Sequence, residues 1–200
     1  MSPTEILSMF ASKSDVRKWM LRPFRLNGFV YATNGHWMVR ISDEPTIDAD
    51  PIADHHPKSI EKMFAEAPTE GFISLPEMEK PADCTRCEGL GFGTLTKCES
   101  CDGDGEFVHC GHFYECKACD GEDDSFEATP DGTDACPDCY GRGLKAWGVP
   151  GQSVGIAKFS PVYLWMLRVL PGIQIAVNDK DGKARFTFEG GEGLLMPYRD

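Results

Sequence analysis

Bases are the first thing this sequence has little of. Twenty Lys and Arg stand against 32 Asp and Glu, a formal charge of −12, so the surface as a whole lacks the cations that sequence-blind nucleic-acid binding requires. A local basic face stays open. Long apolar runs are missing too: nothing approaches the roughly 18 residues that span a bilayer, and MSPTEILSMF carries an acid where a secretory signal carries bases. We expect a cytoplasmic protein with no membrane association. GxSxG, GxxxxGK(S/T) and HExxH are absent, and no histidine pairs with an activated nucleophile outside the cysteine segment, so we expect no enzyme. Apolar residues are not scarce. At 41% of 200 residues they can bury the core of one domain and a small second one.

Cysteine is in excess, and all nine lie between Cys84 and Cys139. In a cytosolic chain they read as thiolate metal ligands before they read as disulfides. Residues 84–143 carry four bases against fourteen acids, net −10, whereas the remaining residues carry 16 against 18, net −2. Composition therefore marks an acidic insert, 84–143, between two nearly neutral flanks, 1–80 and 145–200.

Within the insert stand CTRCEGLG (84–91), CESCDGDG (98–105), CKACDGED (116–123) and CPDCYGRG (136–143). Three repeats match Cys-x-x-Cys-x-Gly-x-Gly throughout, and the third has Asp123 for its last glycine. Two cysteines separated by two residues set both sulfurs about 2.3 Å from one tetrahedral zinc, and two such knuckles close a four-cysteine site. The glycines allow left-handed backbone, so that N–H groups turn back to the thiolates. Four repeats supply two closed, structural sites, hence two zinc ions per chain. Cys110 is left over, between His109 and His112. One of these three is an alternative ligand at the second site, or the stretch is a solvent-near loop. His55-His56 reads as a surface pair, with metal binding as the alternative. Asp123-Asp124 reads as solvation rather than a catalytic dyad, and redox use of a CxxC requires an unmetallated pair.

The flanks repeat one plan. Ser2-Pro3-Thr4-Glu5 reads as a capping box opening a helix that buries Ile6, Leu7 and Phe10. FVYATNGHWMVRI (29–41) reads as two strands joined by a two-residue Asn34-Gly35 hairpin turn. KSIEKMFAEA (58–67) predicts a short helix and FISL (72–75) a strand. The second flank offers a strand VGIAKF (154–159), a helix opened by Ser160-Pro161 and ended by Pro171-Gly172, then IQIAV, ARFTFEG and LLMPYR as strands with turns at NDKDG and GEG. The fold class is α+β: two βαβββ-like halves forming one domain around the insert.

VYATNGHWMVR (30–40) resembles a characteristic strand turn of bacterial DNA polymerase sliding clamps, and LLMPYRD (194–200) resembles the Met-Pro-containing end of the same clamps. The resemblance covers roughly 1–75 and 150–200 and implies a clamp-like domain. Clamps join three such domains per chain into a six-domain ring; this chain has residues for one, so a ring implies six copies and homo-oligomerisation. The helix at 161–170 has only Arg168 to offer DNA and, apolar all round, should be buried. The candidate DNA surface is 13–25, where Lys13, Arg17, Lys18, Arg22 and Arg25 face only Asp15, with Trp19 and Phe24 between them. The alternative is a solvated edge whose aromatic residues turn into the core.

The four repeats resemble the cysteine-rich region of DnaJ co-chaperones. That resemblance implies a hairpin-based double zinc finger in which the first and fourth repeats share one metal and the second and third the other. Cys84, Cys87, Cys136 and Cys139 would then bind one zinc, and Cys98, Cys101, Cys116 and Cys119 the second. The J-domain signature His-Pro-Asp is missing, since Lys58 follows His56-Pro57. Two functional classes follow. One is a clamp-like accessory factor in DNA replication, recombination or transcription, its short chain suiting a bacteriophage. The other is an adaptor whose acidic zinc module binds a protein partner without touching DNA.

Overall fold

The structure is a computed structural model that describes residues 1–15, 17–52, 57–121, 124–145 and 147–198. It divides into two compact units, Met1–Pro81 with Ala146–Asp200, and Ala82–Lys145. In chain order the first segment forms α1 (Pro3–Phe10), β1 (Phe24–Leu26), β2 (Phe29–Thr33), β3 (Trp37–Ser42), β4 (Asp50–Pro51), α2 (Pro57–Ala65) and β5 (Ile73–Ser74). The middle segment forms β6 (Phe92–Lys97), β7 (Glu106–His109), β8 (His112–Glu115), β9 (Asp124–Ala128) and β10 (Asp134–Ala135). The last forms β11 (Gln152–Val154), β12 (Ala157–Phe159), α3 (Pro161–Leu167), β13 (Gln174–Ala176), β14 (Ala184–Phe188) and β15 (Gly191–Leu195). The protein is thus α+β, and none of its helices among the described residues is long and apolar enough to cross a membrane.

In the larger unit one eight-stranded sheet runs β4-β1-β2-β3-β15-β14-β13-β5. Each flank contributes a helix and a three-stranded meander, and the last strands of the two meanders, β3 and β15, pair antiparallel at the centre. The expected βαβββ halves need correction here. No strand precedes α1, and the strand before α3, β12, pairs with β11 in a separate two-stranded sheet.

Strand alternation sends Val30, Ala32, Trp37, Val39, Ile41, Ala184, Phe186, Phe188 and Leu195 to one face, where α1 and α3 bring Ile6, Leu7, Phe10, Tyr163, Leu164 and Leu167. Each fully buried Leu or Phe there contributes about 1.5–3 kcal/mol. Trp37 ties the two helices together, with its ring centroid 4.1 Å from Phe10 and 4.8 Å from Tyr163. On the opposite face Phe24, Leu26, Tyr31, Met38 and Leu194 meet Ile60, Phe64 and Ala67 of the α2 region. Beside them Arg40 lies over the rings of Phe29 and Phe64, at 4.6 and 4.1 Å, and shares Glu192 with Arg185.

Ser2 caps α1 as its sequence predicts: its hydroxyl accepts from the Glu5 N–H at 3.3 Å, while the Glu5 carboxylate accepts from the Ser2 N–H at 2.7 Å. Three turns differ from expectation. The register pairs Thr33 with Met38, so the Asn34-Gly35 loop is longer than two residues. A two-residue type I′ turn needs left-handed backbone at both centres, and only Gly35 has it (φ 87°); Asn34 instead accepts from the N–H groups of His36 and Trp37 at 3.0 and 3.3 Å. VGIAKF is not one strand but folds back at Gly155-Ile156, which buries both Val154 and Ala157 and leaves Ile156 outside. The GEG at 191–193 lies inside β15, and the turn falls one residue earlier at Gly190. A Cβ on Gly193 would come within 2.2 Å of the Phe186 ring and of the Met38 carbonyl, so glycine here is a packing requirement of the strand.

Candidate metal centres

In the smaller unit β6 pairs with β9 and β10, and β7 pairs with β8. Its two ends are closed on each other: the Cys84 N–H donates to the Gly143 carbonyl and the Lys145 N–H to the Ala82 carbonyl, both at 2.8 Å. That closure carries the first and fourth knuckles together. Cys84, Cys87, Cys136 and Cys139 form one cluster, and Cys98, Cys101, Cys116 and Cys119 the other, with all four sulfurs of each within 4.8 Å of one another.

Sulfurs approach at 3.9 Å (Cys84–Cys136) and 3.7 Å (Cys87–Cys139) in the first cluster, and at 3.8 Å (Cys98–Cys116) and 3.7 Å (Cys101–Cys119) in the second. A tetrahedron with sulfur about 2.3 Å from zinc has edges of about 3.8 Å, whereas a disulfide needs about 2.05 Å. The clusters therefore fit metal and exclude the disulfide. Each can hold one zinc ion, two per chain. Four thiolates leave no coordination position for water, which makes the sites structural.

Backbone geometry supports the thiolates. The N–H groups of Gly91 and Gly143 donate to the sulfurs of Cys87 and Cys139, both at 3.2 Å. Both glycines have left-handed φ, 81° and 69°. Sequence reasoning missed a further feature. The residue directly after each second cysteine, Glu88, Asp102, Asp120 and Tyr140, is left-handed as well, with φ between 51° and 55°. Non-glycine residues adopt this only under local constraint, so the knuckle dictates the bend even where no glycine stands. Asp123, the irregular position of the third repeat, lies outside the described residues, as do His55 and His56.

The two clusters differ in access. Cys84, Cys87, Cys136 and Cys139 are all buried and pack against Phe126 and Ala128. In the second cluster Cys98 and Cys119 are only partly covered, and a hollow of about 420 Å³ lined by Thr96, Ser100 and Ser125 opens beside them. Without a metal the thiols resist joint ionisation. Burial, with neighbouring thiols, pushes Cys119 and Cys139 up to about 12, while N–H groups of Ser100 and Cys101 draw Cys98 down to about 7. A divalent ion removes that conflict by displacing the protons.

His109, Cys110 and His112 belong to neither cluster. They close the β7–β8 hairpin, where Cys110 is exposed and His109 pairs with His112. Both clusters already have four sulfurs, so none of the three is needed as a ligand.

The basic stretch is mostly engaged with its own chain. Arg17 pairs with Asp15 at 2.8 Å, Arg22 with Asp48 at 2.8 Å and Asp50 at 3.5 Å, and Arg25 with Asp43 at 3.1 Å. Lys13 donates to the Ser8 carbonyl at 2.9 Å, and Lys18 sits in a single 3-10 turn, Lys18–Met20. Phe24 is buried, and Trp19 packs against the same core, edge-on to Phe24. The aromatic residues thus face inward. The signal for the ion pairs of Arg22 and Arg25 was legible in the acid-rich run SDEPTIDAD at 42–50, which supplies Asp43, Asp48 and Asp50.

Comparison with protein-family models, with curated proteins and with solved structures finds no match.

Proposed function

We propose that this is a binding protein rather than an enzyme: an adaptor whose acidic, zinc-stabilised insert docks a basic protein partner while the α+β body serves as its scaffold. The observation that carries this reading is the contrast in charge. Arg17, Arg22 and Arg25, three of the five bases of the candidate DNA surface, are each ion-paired with acids of their own chain, Asp15, Asp48 with Asp50, and Asp43. The insert has net −10, and each closed site of four thiolates around one zinc adds about −2 more. Such a surface repels phosphate and attracts Lys and Arg.

The second reading is the clamp-like accessory factor in DNA replication, recombination or transcription, self-associating and phage-encoded. It is favoured by one observation, the helix-and-meander plan that occurs twice and meets at β3 and β15. Light-scattering mass and a DNA mobility shift at two salt concentrations separate the readings. The adaptor reading expects no shift at about 50 mM salt, where phosphate contacts are favoured. An oligomer that shifts DNA, and loses the shift when Arg17, Lys18 and Arg22 become Glu, would establish the clamp reading in its place.

A further inference from the structure

The β7–β8 hairpin buries none of its strand residues: all eight, Glu106–His109 and His112–Glu115, are exposed. Four of them are large and apolar, with Phe107 48%, Val108 61%, Phe113 71% and Tyr114 46% exposed. Isolated exposed apolar residues need no explanation, but four of them on one eight-residue strand pair, two to each face, mark an interaction surface. The hairpin pairs with no other strand among the described residues, so both outer edges are open to an added strand.

Its two faces differ. Alternation puts the stacked pair Phe107–Tyr114, centroids 5.8 Å apart, on one face with His109 and His112. The other face carries Val108 opposite Phe113 and, one step toward the base, Glu106 opposite Glu115. Like charges set directly opposite each other destabilise a hairpin, and a cation from outside relieves them. Asp104 joins this pair around a hollow of about 440 Å³ that Phe113 also lines. An apolar step beside an acidic step on one face matches an extended chain whose every second side chain, all on one side, is by turns apolar and basic.

The geometry points to the Val108–Phe113 face of this hairpin as the docking surface for an extended basic and apolar segment of a partner protein. Apolar side chains of that segment lie on Val108 and Phe113, and a Lys or Arg lays its stem along Phe113 with its charge in the hollow of Asp104, Glu106 and Glu115. The assignment rests on the adaptor reading and adds the place and the chemistry of the contact.

The test uses the zinc-loaded full chain and fluorescence anisotropy of two short labelled peptides, one repeating Val-Ser-Lys-Ser and one repeating Val-Ser-Glu-Ser, which set valine and the charged residue on the same face of an extended chain. The lysine peptide is expected to bind and the glutamate peptide not to. Val108→Ser with Phe113→Ser should weaken binding about tenfold or more, the scale of a central apolar contact, with zinc still at two per chain. Glu106→Lys with Glu115→Lys, a change confined to exposed carboxylates, should reverse the preference toward the glutamate peptide. If the wild type binds the lysine peptide but both variants do so equally well, the hairpin is the wrong surface and the adaptor reading survives. If the wild type binds neither peptide, or both alike, the adaptor reading fails with it. A wild-type oligomer that the serine variant disperses would assign the surface to a second copy of this chain and overturn the proposal.

Discussion

The sulfurs of Cys87 and Cys139 stand 3.7 Å apart although 52 residues of chain separate them. Nothing apolar explains so long a closure, because the smaller unit's core among the described residues is the first cysteine cluster itself, with Phe126 and Ala128 against it. Metal must supply the folding free energy, on the order of 10–16 kcal/mol for a structural zinc site. Elemental analysis should return two zinc ions per chain. Chelation should release them in two phases, the partly covered Cys98 site first and the buried Cys84 site second. Cys101→Ser should leave one tightly held zinc, and a variant that still holds two would contradict the assignment.

The larger unit has its own cores on both faces of its sheet, and residues 82 and 145 are joined by a backbone hydrogen bond of 2.8 Å. Replacing 82–145 by a short Gly/Ser linker should therefore leave a folded domain. Circular dichroism should record one cooperative thermal transition. A product without that transition would mean that the body depends on its insert.

Gly193 faces the ring of Phe186 across β14 and β15. Gly193→Val should destabilise the body by about 1–3 kcal/mol, the usual cost of overpacking, as a lower urea midpoint at unchanged slope. Pairing it with Phe186→Leu should recover part of the loss, since the two positions share one space.

Asp15 is held down to about 2, first by the Arg17 side chain and then by the Arg17 N–H. A carboxylate whose folded value lies below its unfolded value of about 3.9 stabilises the fold fully above the unfolded value. That contribution is lost as pH falls through about 2. Asp15→Asn should accordingly be less stable than wild type at pH 5, by under about 1 kcal/mol because the Arg17 side chain is half exposed to solvent, and equal to it near pH 1.5. A difference that persists undiminished in acid would point to shape rather than charge.

What the sequence disclosed followed how local its cause was. The Ser2 capping box and the burial of Ile6, Leu7 and Phe10 are decided within eleven residues, and they are read correctly from spacing. Each cysteine knuckle is equally local. The grouping of knuckles is not, and it came from a resemblance rather than from spacing. Strand β15 was misread at Gly191 and Gly193 because the reason for glycine there is a ring on β14 and a carbonyl on β3, neither visible in the run GEG. β1 escaped notice for a similar cause. Its Arg25 looks like a free cation until Asp43, 18 residues on, is placed beside it.

The central pairing of β3 with β15 also sets an order of events on the ribosome. Residues 37–42 emerge early, yet their partners 191–195 follow only after the whole cysteine-rich segment has been made. The nascent chain thus carries an unfilled strand edge for most of its synthesis, while the zinc unit needs nothing beyond residue 145 to complete its ligand sets. Metal capture can precede closure of the sheet. Zinc starvation during translation should consequently harm yield more than zinc removal from the finished protein harms its body.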